Sequence, residues 1–383
     1  MAVLNEAITR WPAPRRVAIV HDWLVVYGGA ERVLRELIAL FPDCDVFSVV
    51  DYMSDADRAH IFGKRAHTTY IQKLPFSKTK YRSYLPLMPF AIEQLDMSAY
   101  DLVISSSYAV AKGVITGPDQ LHICYCHSPI RYAWDLQHQY LRQTRLTLHY
   151  IRIWDTRTAN GVDKFIANSS YIRRRIGKIY RRDSQVVHPP VDIAAFSFRE
   201  QKDDFYLTAS RMVPYKRIDL IVEAFGKMPD RRLIVIGEGP EMERVRNLAG
   251  ANVTLLGYQE NAVLRDHLQR ARAFVFAAEE DFGILPVEAQ ACGTPVIAFG
   301  KGGALETVVG LDNKDEKPPT GIFFGAQTVP DLVDAVRRFE AATINPADCR
   351  AWAESFSIEA FRNAWQDIIS IEPQHQGSSE IPV

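Results

Sequence analysis

Arg16-Val-Ala-Ile-Val-His21-Asp-Trp-Leu-Val-Val-Tyr-Gly28-Gly29-Ala-Glu-Arg-Val33-Leu34 passes from a short β-branched apolar run, through a glycine pair, into a helical pattern. Val33, Leu34, Leu37, Ile38 and Leu40 recur at helical spacing and define one apolar face. Asp45-Val-Phe-Ser-Val-Val50 then reads as a second strand. Strand, glycine loop, helix, strand is a βαβ unit, and its two strands lie parallel.

The same rhythm extends outward. Leu102–Ser106, His122–Cys126, Lys164–Asn168 and Ser184–His188 read as further strands, and Tyr108–Gly113 as a short helix. Near Val187-His-Pro-Pro-Val-Asp192 the pattern breaks, because consecutive prolines favour an extended linker. It restarts with strands at Asp204–Ala209, Arg232–Ile236, Val253–Leu256, Ala273–Ala277 and Pro295–Phe299, each followed by a helical segment. Gly237-Glu-Gly-Pro240 is a turn between strand and helix. The chain therefore divides into an α/β domain over 1–193, a second over 194–350, and a tail of helices over 351–383 that ends in a polar stretch, Gln374–Val383. Two open parallel sheets joined by one linker enclose a cleft, and ligands of such sheets sit beyond the carboxyl ends of the strands.

Composition narrows the classes. A chain of 383 residues suits two domains. Its 45 Lys+Arg against 46 Asp+Glu leave a net charge of −1, which argues against a nucleic-acid coat. No apolar run is long enough to span a bilayer. Glu6, Arg10, Pro12 and Pro14 break the opening residues, unlike a secretory leader. Cys44, Cys124, Cys126, Cys292 and Cys349 form no CxxC pair, so they read as reduced thiols of a cytoplasmic protein. His122 and His127 beside Cys124 and Cys126 leave a zinc reading open, and a packed strand is the plainer one. Asp55/Asp57 and Asp203/Asp204 read as surface turns or helix starts rather than metal ligands.

The richest chemistry lies in Glu280-Asp-Phe-Gly283-Ile-Leu-Pro-Val-Glu288-Ala-Gln-Ala-Cys-Gly293-Thr-Pro295. A strand runs into an acidic loop. Gly283 permits a close backbone approach, and a helix starts near Ile284–Pro286. The free N–H groups of that start favour a phosphate. Glu280 and Glu288 are good acceptors for the paired hydroxyls of a sugar and a ribose. Either glutamate alone reads more simply as a partner of the helix dipole, and the whole string with its glycines and prolines favours the ligand. Arg211 and Lys216, after another strand, can flank a diphosphate without a metal, or simply form a solvated loop.

The string resembles the E-x7-E motif of retaining GT-B glycosyltransferases of family 4, with Glu280 and Glu288 as its glutamates. Ser210-Arg-Met-Val-Pro-Tyr-Lys216-Arg217 resembles that family's donor-phosphate segment. Gly237-Glu-Gly-Pro240, Tyr27-Gly-Gly-Ala-Glu31 and Cys126-His-Ser-Pro129 resemble its other loops, in the expected order. His127-Ser-Pro-Ile-Arg-Tyr-Ala-Trp-Asp135 further resembles mannosyltransferases of bacterial O-antigen and exopolysaccharide assembly, which commonly use GDP-mannose.

The resemblance implies two Rossmann-like domains, with the acceptor bound by the first and a nucleotide sugar by the second, and transfer that retains the anomeric configuration. It places Glu280 on the donor sugar, Glu288 on the ribose, and Arg211 and Lys216 on the diphosphate. Gly28, Gly29, Gly237, Phe282, Gly283, Ile284 and Leu285 would line the donor. His127 would reach the sugar or reaction centre, and Asp22 and Arg131 the acceptor, a glycan or lipid-diphosphate-linked saccharide. No cofactor, metal or nucleic acid is implied.

Two cation-rich stretches, Lys64–Arg82 with interleaved aromatics and Arg173–Arg182, read as solvated faces or as contacts with an anionic membrane on the cytoplasmic side. A sugar-nucleotide epimerase and a non-catalytic sugar-nucleotide binder are the rival readings. A dinucleotide-binding dehydrogenase is disfavoured, because Met242 stands where the third glycine of G-x-G-x-x-G is needed.

Overall fold

A computed structural model describes residues 16–135, 145–313 and 315–371. The opening residues and the polar stretch Gln374–Val383 lie outside it. Seven strands form the first sheet: β1 (Val17–His21), β2 (Asp45–Ser48), β3 (Ala66–Thr68), β4 (Leu102–Ser107), β5 (Leu121–Cys126), β6 (Lys164–Ala167) and β7 (Ser184–Val186). Their spatial order is β3-β2-β1-β4-β5-β6-β7, and every pairing is parallel. The second sheet has β8 (Tyr206–Ala209), β9 (Leu233–Ile236), β10 (Val253–Gly257), β11 (Ala273–Phe276), β12 (Val296–Phe299) and β13 (Gly321–Phe324). Its order is β10-β9-β8-β11-β12-β13, again all parallel.

Both sheets are covered on both faces, which is why their strands read as unbroken apolar runs. Along β1, Val17 and Ile19 enter one core while Ala18 and Val20 enter another. Along β11, Phe274 and Phe276 face one side and Ala273 and Val275 the other. The strand order reverses at β1/β4 in the first sheet and at β8/β11 in the second. The loops leaving the carboxyl ends of these four strands carry His21-Asp22, Ser107-Tyr108, Ser210–Lys216 and Ala277–Asp281, so both crevices hold motif residues.

Three expectations change. Tyr108–Gly113 is not a helix; only a tight turn at Ala111–Gly113 forms, because four successive N–H groups there are drawn onto the carboxylate of Asp22. β3 and β13 are additional strands. β3 is a three-residue edge with no buried residue, so it lacks an apolar signal. The chain also crosses back later than residue 350. Helix Pro346–Glu354 stays on the second domain, where Ala353 is buried and Arg350 donates to the carbonyl of Ala291 at 2.8 Å. Helix Ile358–Ile371 makes the crossing. It buries Phe361, Trp365 and Ile368 among Ile19, Leu34 and Leu37 of the first domain, and Arg362 Nε meets Glu36 Oε2 at 2.8 Å.

Candidate functional site

The second domain supplies an acidic loop and a helix start. From β11 the chain runs through Ala277–Phe282 to Gly283, which adopts φ +91°, and helix Ile284–Ala291 begins without a side-chain cap. Phe282 is buried and stacks on His188 with ring centroids 5.5 Å apart, which anchors the loop. Gly303 N–H donates to the Glu280 carbonyl at 2.8 Å and steadies it from the other side. Phe282 is thus a core anchor, and Ile284 and Leu285 pack their side chains on the same core while their N–H groups open the helix.

The loop after β8 lies beside this one. Lys216 Nζ contacts the Glu280 carboxylate, and the two side chains are 16% and 19% exposed. Burial, reinforced by the Arg131 charge and opposed by Asp281, brings the Lys216 ammonium down to about 8. Arg211 is exposed, without an ion pair among the described residues, and its charge is felt at Tyr81 of the first domain. Gly237 holds φ +127°, and a Cβ there would lie 1.9 Å from the Ser210 carbonyl oxygen. Only glycine lets the turn after β9 pack on the cation loop.

The first domain supplies the opposite wall. Helix Gly29–Leu40 starts at the cleft, and a Cβ on Gly29 would stand 3.2 Å from Ile284 Cδ1. Two helix N-termini therefore approach one another across the cleft. Arg32, one turn into the first helix, reaches Glu288 at 2.6 Å. Glu31 Oε2 accepts the Gly28 N–H at 2.9 Å, and its other oxygen lies 3.3 Å from His21 Nε2. His21 Nδ1 is 3.1 Å from Ser106 Oγ, which is 2.9 Å from His127 Nε2. Burial pushes His127 down to about 3, so its ring is neutral at pH 7.

The assignment of Asp22 to the acceptor needs revision. Asp22 is fully buried. Its carboxylate accepts the N–H groups of Tyr108, Ala109, Val110 and Ala111 at 2.5–2.9 Å. It ties β1 to the loop after β4 and has no free face for a ligand. Arg131 reaches across the cleft: Nη1 lies 3.5 Å from Asp281 Oδ2 and the guanidinium 5.6 Å from the Tyr215 ring centroid.

Several cleft residues had no motif to announce them. Arg175, within the second cationic stretch, turns inward to Asp281, Asp135 and Ser128. Glu306 accepts the N–H groups of Ser170 and Tyr171 at 2.7 and 2.9 Å and thereby caps a first-domain helix from the second domain. Gly302-Gly303, a glycine pair in the loop after β12, is a readable signal, since it follows a strand as Gly28-Gly29 does. The five cysteines are free and buried. Among the described residues no group of three or more His, Cys, Asp or Glu is placed to hold a metal ion.

Comparison with known proteins defines the class. The profile described as "Glycosyltransferase Family 4" matches residues 27–195, and that described as "Glycosyl transferases group 1" matches residues 192–356. The chain belongs to the family 4 glycosyltransferases and has their GT-B architecture of two Rossmann-like domains. It is 25% identical over 383 residues to the alpha-1,3/1,6-mannosyltransferase ALG2 of Eremothecium gossypii, covering 80% of this chain and 73% of that one. It is 35% identical over 188 residues to a GDP-mannose-dependent monoacylated alpha-(1-6)-phosphatidylinositol monomannoside mannosyltransferase of Corynebacterium glutamicum, covering 43% and 46%. The chain spans about half the length of other curated relatives that it matches (54%). The sucrose-phosphate synthase of Thermosynechococcus elongatus shares the fold with a TM-score of 0.70 at 18% identity, over 93% of this chain and 98% of that one.

Proposed function

We propose that this protein transfers a sugar, mannose from GDP-mannose, with retention of configuration, to a glycan or lipid-diphosphate-linked saccharide in cell-surface polysaccharide synthesis. The observation that carries this reading is the meeting of two uncapped or glycine-led helix starts at Gly28-Gly29 and Gly283-Ile284, with Lys216 on Glu280 of the loop that leads into the second. Backbone N–H groups and a fixed ammonium stabilise the charge that grows on a leaving diphosphate. The mannosyl and GDP assignments lean on the printed activities of the relatives and on the His127–Asp135 segment.

In this reading the C1–O bond to the diphosphate breaks and its electron pair stays on the phosphate. The acceptor hydroxyl attacks from the same face, and its proton passes to the departing phosphate oxygen. Lys216 and Arg211 hold the diphosphate, Glu280 the sugar hydroxyls and Glu288 the ribose. Lys216 contacts Glu280 and Arg32 contacts Glu288, so each carboxylate is held in place beside the hydroxyls it would accept. His127, neutral and partly exposed, contacts the sugar.

A thermal-shift screen of GDP, UDP, ADP and their sugars tests the donor. Stabilisation by GDP and GDP-mannose above the others is expected; a preference for UDP would overturn the GDP assignment. A product assay with acceptor separates an enzyme from a binder, and appearance of an isomerised free sugar nucleotide would favour an epimerase.

The Lys64–Arg82 face supports peripheral contact with anionic lipid. Phe76 is 74% exposed amid Lys73, Lys78, Lys80 and Arg82, and Tyr70, Leu87 and Phe90 are exposed nearby. No described helix is long and apolar enough to cross a membrane. Sedimentation with phosphatidylserine vesicles at low salt, relieved at high salt, is expected; absence of binding at low salt removes this part of the reading.

A further inference from the structure

The hydrogen-bonded chain from Glu31 to His127 has a direction. A carboxylate only accepts, so the ring nitrogen of His21 that faces it, Nε2, carries a proton. With His21 neutral, its Nδ1 is bare and accepts the Ser106 hydroxyl proton. The Ser106 oxygen is then left to accept, and the nitrogen that meets it, Nε2 of His127, must donate. His127 Nδ1 is therefore the bare nitrogen, and it has no hydrogen-bond partner among the described residues. The first three members are buried, and His127 alone is partly exposed at the cleft. Around the chain stand Tyr108 and Tyr125, whose rings lie edge-on to His127 at 5.8 and 5.0 Å, and Asp22, whose carboxylate is taken up by backbone N–H groups.

We infer that Glu31, His21 and Ser106 are positioning residues that fix the tautomer of His127, so that a proton-free Nδ1 is offered to a hydroxyl of the bound sugar or acceptor. The inference rests on the proposed placement of His127 at the sugar, but the tautomer can be read without any turnover. A hydroxyl donor meeting Nδ1–H instead of a lone pair loses its hydrogen bond, and the wrong tautomer is a catalytic fault even with the ring in place.

Glu31→Gln tests the direction. The glutamine oxygen can keep the Gly28 N–H bond while its NH2 faces His21. His21 then accepts at Nε2, donates from Nδ1 to Ser106, and the Ser106 hydroxyl donates to His127. The whole chain reverses. Long-range 1H–15N spectra of the histidine rings at pH 7 should show His127 protonated at Nε2 in the native protein and at Nδ1 in Glu31→Gln. Ser106→Ala, which breaks the chain, should give a mixture of the two. In the native geometry His21 should carry one ring proton. A fall in kcat of about tenfold or more, with little change in KM for the donor, should accompany the reversal. The inference is overturned by a native His127 protonated at Nδ1, by a doubly protonated His21, or by an unchanged His127 spectrum in Glu31→Gln. Reversed spectra in a protein with no transferase activity would sustain the relay and count against the transferase reading alone.

Discussion

Replacing Lys216 by alanine removes the half-buried cation that contacts Glu280 of the acidic loop. Two unit charges about 4 Å apart at an effective dielectric near 20 interact by about 4 kcal/mol. Loss of one preorganised donor from an oxyanion-type site costs about 10²–10³ in kcat. Lys216→Ala should therefore lower kcat about 10²–10³-fold, measured as nucleoside diphosphate release at saturating donor and acceptor. The pH profile carries the same claim. Burial has brought this ammonium from 10.5 to about 8, so kcat/KM for the donor should fall as pH rises through about 8. Lys216→Arg, which keeps its charge, should lack that limb. The loss is not unfolding: an unfolded lysine keeps its proton over the window from about 8 to 10.5 where the folded one gives it up, so this group's contribution to stability rises with pH there. Turnover within about threefold of native in Lys216→Ala, with the alkaline limb intact, would refute the assigned role.

Glu288→Ala should raise KM for the nucleotide sugar about tenfold with a smaller change in kcat, in steady-state kinetics against donor concentration; an unchanged KM would remove Glu288 from the ribose. Asp22→Asn places an NH2 against backbone N–H donors and should cost at least about 2 kcal/mol, since each buried unpaired donor costs about 1–3 kcal/mol. Chemical denaturation measures this, and a native-like midpoint would mean the carboxylate is not the hub of that loop. Activity should survive dialysis against EDTA, because cations and N–H groups take the role of a metal; loss that Mg²⁺ or Mn²⁺ restores would contradict this.

The fold was legible because parallel sheets buried on both faces leave strong local traces. Runs such as Val17–Val20 and Leu233–Ile236 signal strands without any knowledge of their partners. Helix Gly29–Leu40 shows its apolar face at helical spacing for the same reason. β3 left no such trace because its residues are not buried, and the Tyr108 turn was misread because its N–H groups are satisfied by Asp22, 86 to 89 residues away.

The site was legible where chemistry is local in sequence. Glu280, Gly283 and Glu288 share one loop and helix, and Arg211 and Lys216 share one loop, so spacing alone made them candidates. Arg32 and Arg175 were not legible as cleft residues, since on their own helices they look like solvated charges. Their partners, Glu288 and Asp281, come from the other domain.

The order of residues along the chain determined two α/β units and the family to which they belong, because βαβ periodicity and loop motifs are written within a few dozen residues. Tertiary structure alone decided that Asp22 is a structural acceptor, that Arg131 spans the cleft, that helix Ile358–Ile371 crosses back while Pro346–Glu354 does not, and that Glu31, His21, Ser106 and His127 join in one hydrogen-bonded line. Each of these depends on which distant groups fill a side chain's hydrogen-bonding capacity, and that is settled only when separate strands and domains are brought together.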